Sequence, residues 1–316
     1  MQLKKVVILG GGTGLSNIVK GLKNLPIKLT AVVAVSDNGS STGRLRKEFL
    51  IPAVGDARKV VSNLSTLPDD ISQLMETRIS SSSALGGHAI GNLLLACLIQ
   101  KSHSLKLSIE KLSKLLMLKH KVLPLSEDSL TLCGKTTNGQ IIEGEEQITQ
   151  ANQEFEKIFY KNEPYICPEV ISVIKDADLI LLSAGSLLTS LLPNLICKDV
   201  QDAISASAAK IMYICNAFTE QGETDKFSVC DHLSYIEKYL NGRKIDVVVA
   251  NCGNCSDNFL EKYKKENKHL VRLDYEKIYS SGHLLIESDL LDDEDGTLKH
   301  NSLKLGSIIF SYLMQN

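Results

Sequence analysis

The sequence predicts an α/β protein with a Rossmann-like, doubly wound and mostly parallel sheet in three layers. Short β-branched runs alternate with amphipathic segments, which is the pattern of parallel strands joined by covering helices. Glycine- and serine-rich loops follow several of these runs, as expected at the ligand-binding edge of such a sheet. Because the 316 residues contain no internal repeat, we expect a single α/β domain over 1–316 with a β-rich insertion at 119–165.

Short apolar runs mark the buried strands, which we predict at 6–9, 29–35, 179–182, 210–215 and 246–250. Helices are predicted between them at 15–25, from Asp56 as N-cap to 67, from Gly86-Gly87-His88 onward, from Glu169, and at 200–208, 229–240 and 302–313. In the helix after His88, the i, i+3, i+4, i+7 spacing predicts a buried face formed by Ile90, Leu93, Leu94, Cys97 and Leu98.

The pattern changes near His120, where strand-like segments follow one another without intervening helices. These segments lie at 122–125, 130–136 and 140–143, and Asn138-Gly139 is a strong hairpin signal between the last two. We therefore assign 119–165 to the insertion.

Composition and charge exclude several functional classes. The 35 Lys+Arg and 37 Asp+Glu residues give a formal net charge of −2, without the basic excess of a protein that binds a nucleic acid polymer. The absence of Trp and an aromatic content of 5% argue against stacking platforms for single strands. No apolar run is long enough for a membrane span or a signal peptide, so we expect a cytoplasmic protein without membrane insertion.

The eight cysteines lie mostly in apolar runs, where a thiol acts as a small hydrophobe. Cys252-Gly-Asn-Cys255 has ligand-like spacing but no second pair, so we interpret it as a loop rather than a zinc site.

A glycine-rich loop, Gly10-Gly11-Gly12-Thr13-Gly14, joins the first strand to its helix. Backbone N–H groups in such a loop can approach an anion, and the helix dipole adds favourable potential. The spacing is not the full G-x-G-x-x-G, and the Lys-Ser/Thr of a Walker loop is missing. The loop therefore predicts a phosphate or nucleotide site, with a tight turn that binds nothing as the alternative.

A polar loop follows the second strand and contains Asp37, Asn38, Gly39, Ser40, Ser41 and Arg44. Asp37 could accept from ribose hydroxyls or hold a divalent cation, while Arg44 and Arg46 could neutralise a diphosphate. A flexible linker is the alternative for this segment.

Further candidates lie at helix starts and strand ends. Asp56 and Arg58 stand near a helix start, where capping alone would explain Asp56. His88 and Asn92 would share a helix face. A second small-residue cradle spans 183–190, with Gly185, Ser186 and Thr189 as candidate phosphate ligands, and Asn216 ends the fourth predicted strand.

No nucleophile–base pair is evident. The sequence lacks a G-x-S-x-G elbow and an H-E-x-x-H motif, and Asp231-His232 is more typical of a helix start than of a triad. The run Asp292-Asp293-Glu294-Asp295-Gly296 lacks the spaced ligands of a calcium loop, so we interpret it as a solvated acidic turn.

Taken in order, the motifs at 10–23, 36–46, 55–58, 86–96, 177–195 and 215–233 resemble the bacterial gluconeogenesis-factor family (YvcK-type, UPF0052). That family is related to the 2-phospho-L-lactate transferases (CofD-type) of coenzyme F420 synthesis. The resemblance implies a Rossmann-like fold, binding of a UDP-sugar such as UDP-N-acetylglucosamine, and a role in cell shape and in growth on gluconeogenic carbon sources.

The resemblance also assigns roles to individual residues. The transferases hold a divalent metal with two aspartates, which makes Asp37 and Asp56 the metal candidates here, with Mg²⁺ as the candidate ion. Tyr263 stands where the family has a tyrosine associated with the UDP-sugar, and Lys299 replaces an arginine. Leu188 replaces a tyrosine, so we expect backbone and aliphatic groups to hold the base.

Three functions remain open from the sequence. The first is a regulatory binder of a nucleotide sugar, using the candidates above with Lys299 or an arginine on the phosphates. The second is a metal-dependent transferase that moves a phosphate-containing group from a nucleotide diphosphate donor, which needs positioning rather than a visible nucleophile. The third is an NAD-binding protein with Asp37 on the ribose. The oligomeric state is equally open, with a homodimer as one possibility.

Overall fold

The computed structural model describes residues 3–294 and 296–315. In chain order its strands are β1 (Lys5–Gly10), β2 (Lys28–Val33), β3 (Lys121–Pro124), β4 (Leu132–Thr136), β5 (Ile141–Glu143), β6 (Phe155–Tyr160), β7 (Leu179–Leu182), β8 (Lys210–Ile214), β9 (Val247–Asn251), β10 (Leu284–Ser288), β11 (Leu291–Glu294) and β12 (Thr297–His300).

Helices cover both faces of the sheet. In chain order they are α1 (Gly12–Leu22), α2 (Ser40–Phe49), α3 (Gly55–Leu64), α4 (Asp69–Glu76), α5 (Ile90–Ser102), α6 (Leu105–Leu115), α7 (Glu145–Gln150), α8 (Pro168–Lys175), α9 (Leu192–Leu195), α10 (Lys198–Ala206), α11 (Val229–Glu237), α12 (Asp257–Lys265), α13 (Tyr275–Ser280) and α14 (Ser302–Gln315). A π-helical turn, Leu187–Leu191, runs directly into α9.

The central sheet has seven strands in the order β10-β9-β8-β7-β1-β2-β3, and every neighbouring pair is parallel. From β1 the chain proceeds to β2 and β3 on one side, whereas β7 leads to β8, β9 and β10 on the other. The strand order therefore reverses between β1 and β7, and ligands of open α/β sheets bind at the carboxyl ends of the strands at such a point.

The core forms two apolar layers, one on each face of the sheet. Along β1, Val6 and Ile8 pack into the layer with α1, α3, α5, α6 and α14, whereas Val7 and Leu9 pack into the layer with α8, α10 and α11. All four side chains are buried. This confirms the predicted three-layer, Rossmann-like α/β fold and explains why the strands are continuously apolar rather than alternating.

The polar loop after β2 is not a flexible linker. Its residues from Ser40 to Phe49 form α2, which packs against α5. Serine and glycine have low helix propensity, so the sequence alone favoured a loop, and tertiary packing of Leu45 overrides that preference.

Two other predictions differ locally from the structure, and the predicted hairpin is present. The strand at 122–125 lies outside the insertion, because β3 pairs with β2 at the edge of the central sheet. The antiparallel unit is β5-β4-β6, and its hairpin turns at Asn138-Gly139 with Gly139 at φ +87°. Asp56 is not an N-cap: Val54 holds that position, and Asp56 lies in the first turn of α3.

The predicted buried face of α5 is correct in part. Ile90, Leu93, Leu94 and Leu98 are half-buried and pack against the core, whereas Cys97 is exposed. The fully buried positions are Gly91, Asn92, Leu95, Ala96 and Ile99. The helix is apolar around most of its circumference, so spacing alone could not decide which side meets α3 and α6.

The remaining motifs behave as local structure. Ser228 and Asp231 form a capping box at the start of α11, as predicted for Asp231-His232. The acidic run at 292–296 includes the turn of the β11–β12 hairpin, and Asp295 within it lies outside the described residues. All eight cysteines are free thiols. Within the described ranges, we find no helix with the length and apolar character needed to cross a membrane.

Candidate functional site

The glycine-rich loop after β1 and the 183–190 loop after β7 lie against each other at the point where strand order reverses. An added Cβ at Gly14 would fall 2.8 Å from the backbone nitrogen of Gly185 and overlap the carbonyl of Ala184. Gly12 has φ +60°, a conformation that favours glycine. Gly14 therefore allows the backbones of the two loops to pack closely, and Gly12 allows a left-handed turn within the first loop.

A cavity of about 360 Å³ opens at this edge of the sheet beside β1, β7 and β8. Six residues predicted from the sequence line it: Thr13, Gly14, Gly185, Asn216, Tyr263 and Lys299. The Asn216 side chain holds the second loop in place, since its Oδ1 accepts from Gly185 N and its Nδ2 donates to Gly185 O, both at 2.8 Å. The structure thus brings one subset of the predicted residues around a single cavity.

Aromatic and basic groups form the outer wall of this cavity. The Tyr263 ring stacks on Phe218 with a centroid separation of 4.5 Å, and its hydroxyl accepts from Leu298 N. Lys299 Nζ lies 3.1 Å from Glu294 Oε2, so its charge is already paired. The cavity wall therefore contains two aromatic rings in addition to backbone and aliphatic groups.

His300 adds a neutral imidazole to the same wall. Burial lowers the pKa of His300 to about 4, so the ring is uncharged at neutral pH. Its Nε2 has no hydrogen-bond partner within the described residues, although it is buried. A polar ligand atom in the cavity would supply that partner.

Four carboxylates gather on the other side of the glycine loop. Glu145, at the start of α7 in the insertion, lies within electrostatic range of Asp37, Asp56 and Glu223. Burial, together with those charges, raises the pKa of Glu145 well above its usual value. Lys59 Nζ, 3.7 Å from Asp56 Oδ1, is the cation nearest to that carboxylate among the described ion pairs. This group of Asp37, Asp56, Glu145 and Glu223 is called the carboxylate cluster below.

Asp56 lies against the glycine-rich loop after β1. Its carboxylate accepts from the backbone N–H of Gly12, and burial raises the pKa of Asp56 despite the opposing effect of Lys59. Asp37, at the end of the segment after β2, accepts from Gly39 N at 2.8 Å. The sequence placed both aspartates near phosphate loops, and the structure brings them within electrostatic range of each other.

The Glu223 side chain extends from the 219–224 loop into the 183–190 loop. Both of its carboxylate oxygens accept from Ser186 Oγ at 2.8 Å, and Oε2 also accepts from Leu188 N at 3.3 Å. Thr189 pairs with Ser186 through its hydroxyl at 2.6 Å. Burial raises the pKa of Glu223 to about 7, and the neighbouring Glu220 adds to the effect. The donors predicted for a phosphate in this loop therefore bind a side chain of the protein itself.

The insertion is tied to the site through Asn38. Its Oδ1 accepts from Glu146 N at 2.9 Å, and its Nδ2 donates to Gln147 Oε1 at 3.1 Å. These bonds hold the start of α7 over the loop that carries Asp37. The position of Glu145 thus depends on Asn38.

The predicted basic residues are used elsewhere in the structure. The buried Arg58 forms an ion pair at 3.1 Å with Glu76, whose side chain is 39% exposed, and Arg44 Nη2 donates to Gly86 O at 2.8 Å. Arg46 donates to the backbone oxygens of Ser36 and Asp37 at 2.9 Å. None of the three lines the cavity at the strand ends.

His88, Asn92 and Ser41 meet between α2 and α5. Asn92 Nδ2 donates to Ser41 Oγ at 3.3 Å, while the buried His88 Nδ1 and Asn92 Oδ1 have no partner among the described residues. Burial and the charge of Arg44 lower the pKa of His88. Nothing further is described for Ser40, whose side chain lies outside the described part.

Sequence reasoning missed Glu145, Glu223, Lys59 and Phe218. Glu223 lies in the 219–224 loop, whose position after a strand end was the available signal. Glu145 had no local signal, because its role depends on how the insertion folds back over Asp37. Lys59 lies three residues after Asp56, which places it one turn along the same helix.

A divalent cation suits the chemistry of Asp37 and Asp56, although no preformed cage exists. The described side chains contain no group of three or more His, Cys, Asp or Glu arranged to hold a metal. Mg²⁺ commonly binds one or two carboxylates and takes its other ligands from phosphates and water. The two aspartates therefore fit a metal that arrives with a nucleotide diphosphate.

A larger groove of about 730 Å³ lies at the opposite edge of the sheet, between the starts of β8, β9 and β10 and helix α14. It contains none of the predicted site residues. Because ligands of parallel α/β sheets bind at the carboxyl ends, the smaller cavity is the better candidate site.

Comparisons with known proteins find a matching family model and relatives of nearly full length. A family model described as 2-phospho-L-lactate transferase CofD matches residues 6–291. The gluconeogenesis factor of Halalkalibacterium halodurans is 37% identical over 310 residues, covering 98% of this chain and 96% of the relative. That of Bacillus subtilis strain 168 is 34% identical over 315 residues, covering 99% of each.

Solved structures show the same relationship. An X-ray crystal structure of a protein from Bacillus halodurans superposes with a TM-score of 0.94 at 37% identity, covering 98% of this chain and 100% of that one. A second crystal structure from that organism, described as a member of the UPF0052 family, gives a TM-score of 0.93 over 97% of this chain and 99% of that one.

Proposed function

The chain belongs to the CofD family and, within it, to the gluconeogenesis-factor (UPF0052) proteins, and from this premise we propose that it binds a nucleotide sugar of the UDP-N-acetylglucosamine type. The observation that carries the proposal is the cavity beside β1, β7 and β8, which six predicted residues line. Its 360 Å³ lie within the range of small-molecule sites, near the lower end.

The nucleoside fits the cavity best. Phe218 and Tyr263 offer aromatic faces, and the unpartnered Nε2 of His300 offers a polar contact. The Asn216–Gly185 bonds fix the inner wall. The diphosphate would then extend along the glycine loop toward Asp37 and Asp56, where Mg²⁺ would offset the carboxylate charge.

A role in sensing follows from binding without an evident nucleophile. The related proteins are named gluconeogenesis factors, which supports a function in growth on gluconeogenic carbon sources. A role in cell shape stays a prediction from the sequence resemblance. In this proposal the protein responds to the concentration of the nucleotide sugar through the fraction of sites that are occupied.

Isothermal titration with UDP-N-acetylglucosamine in the presence of Mg²⁺ tests the proposal. We expect saturable binding that Asn216→Ala weakens by about tenfold or more, because the Gly185 backbone loses two hydrogen bonds. Asn258→Ala, on the exposed side of α12, serves as the control and should bind like the unmodified protein. Absence of heat at millimolar ligand would refute nucleotide-sugar binding.

A second candidate function is transfer of a phosphate-containing group, favoured by the pairing of Asp37 with Asp56 in a chain that matches the CofD model. Incubation with a guanosine diphosphate whose outer phosphate is esterified with lactate, together with an acceptor alcohol, would then transfer phospholactate to the acceptor hydroxyl and release GMP in a metal-dependent reaction. We expect Asp37→Asn to reduce any such turnover by at least about a hundredfold. Equal turnover in the variant would exclude this mechanism.

The NAD hypothesis has less support. The cavity lies on the β7 and β8 side of β1, whereas Asp37 follows β2 on the other side and does not line it. An aspartate on the ribose would require the nucleoside to lie toward β2.

A further inference from the structure

The 183–190 loop has the form of an anion site whose donors are already used. Ser186 Oγ and the backbone N–H groups of Leu187 and Leu188 all donate to the Glu223 carboxylate. A ligand phosphate or carboxylate could use these donors only by displacing Glu223. The displaced carboxylate would remain close to the new anion, because Glu223 is held in a short loop that begins at Asn216.

The charges around this loop have one dominant sign. Glu223 is within electrostatic range of Glu145 and Glu220, and Glu145 in turn of Asp37 and Asp56. Lys59 is paired with Asp56, and the nearby Arg58 is paired with Glu76. At a pH above the Glu223 pKa of about 7, its ionised carboxylate repels a further anion even when Mg²⁺ offsets the two aspartates.

This loop also borders the nucleoside cavity. Gly185 and Glu220 line the cavity; Gly185 directly precedes Ser186, which donates to Glu223, and Glu220 lies three residues before Glu223 in the same loop. In the proposed binding mode, the terminal substituent of a nucleotide diphosphate that lies along the glycine loop reaches Glu223. The carboxylate oxygens of Glu223 can accept from sugar hydroxyls, whose donors match them.

Resting on the proposed function, we propose that Glu223 is a specificity-determining residue: its carboxylate fills the 183–190 anion-binding loop and admits a neutral, hydroxyl-bearing substituent on the nucleotide diphosphate while excluding an anionic one. The proposal narrows the ligand class to diphosphates of neutral sugars. It also separates the binder from a transferase of phospholactate, whose transferred group carries a carboxylate.

Two matched ligands test this inference. UDP-glucose and UDP-glucuronate differ only in whether the sugar carries a hydroxymethyl group or a carboxylate. By isothermal titration with Mg²⁺ at pH 8, where Glu223 with its pKa of about 7 is mostly ionised, we expect the unmodified protein to bind UDP-glucuronate at least about tenfold more weakly than UDP-glucose. In Glu223→Gln the ratio of the two dissociation constants should fall to near one, whereas Glu223→Asp should retain most of it.

Asp225→Asn is the control variant. Asp225 is an exposed acid two residues away, whose carboxylate accepts from Gly222 N, and its replacement should leave the ratio unchanged. Equal affinity of the unmodified protein for both ligands, or an unchanged ratio in Glu223→Gln, overturns the role of Glu223 while leaving nucleotide-sugar binding intact. If neither ligand nor UDP itself binds, the proposed function fails and this inference fails with it.

Discussion

Replacing Gly14 by alanine is expected to destabilise the protein by about 3 kcal/mol and to abolish nucleotide-sugar binding. The added methyl group would lie 2.5 Å from the carbonyl carbon of Ala184 and 2.8 Å from Gly185 N. Both atoms belong to the backbone, so no side-chain rotation can relieve the overlap. The two loops must separate, and the inner wall of the cavity separates with them.

Thermal unfolding and titration with UDP-N-acetylglucosamine measure the two effects of Gly14→Ala. Gly39→Ala is the matched control for stability, since Gly39 has φ −81° and its added methyl group would meet only Asp37 Oδ1 at 3.4 Å. We expect that control to unfold within a degree or two of the unmodified protein. Unchanged binding in Gly14→Ala would show that contact between the loops does not shape the site.

The sequence predicts the sheet and the cavity well because both depend on local signals. A continuous apolar run such as that of β7 is predicted with its observed bounds, and a glycine loop after a buried strand marks the edge where ligands bind. Thr13, Gly185 and Asn216 could therefore be placed at one site from their positions at strand ends alone.

Long-range charge placement could not be predicted in the same way. Glu145 enters the carboxylate cluster only because α7 folds over Asn38, more than a hundred residues earlier in the chain. The partners of the arginines depend on tertiary packing in the same way: Arg58 meets Glu76 after α3 and α4 pack together. A residue's type shows what it can bind, but tertiary packing decides which partner reaches it first.

Glu223→Gln is expected to raise the melting temperature of the ligand-free protein at pH 8 but not at pH 4. Burial disfavours the charged carboxylate and raises the pKa of Glu223 from its ordinary value of 4.5 to about 7 in the folded protein. Below pH 4.5 the carboxyl is protonated in both states, and its contribution to stability is fully present. As the pH rises from 4.5 to 7, unfolding allows ionisation that folding resists, and that stability is lost.

Glutamine cannot ionise, so the difference in unfolding free energy between Glu223→Gln and the unmodified protein should grow across that interval and level off above pH 7. The expected amplitude is up to about 3 kcal/mol, and melting curves at several pH values measure it. Loss of a hydrogen bond to Ser186 in the variant shifts the whole profile by a constant, so only the slope reports the buried charge. Asp225→Asn, with its exposed carboxylate, should show no such slope. If the difference in unfolding free energy between Glu223→Gln and the unmodified protein did not change with pH, the Ser186 and Leu188 donors would fully stabilise the charged form. Glu223 would then be an ordinary carboxylate bound to the 183–190 loop.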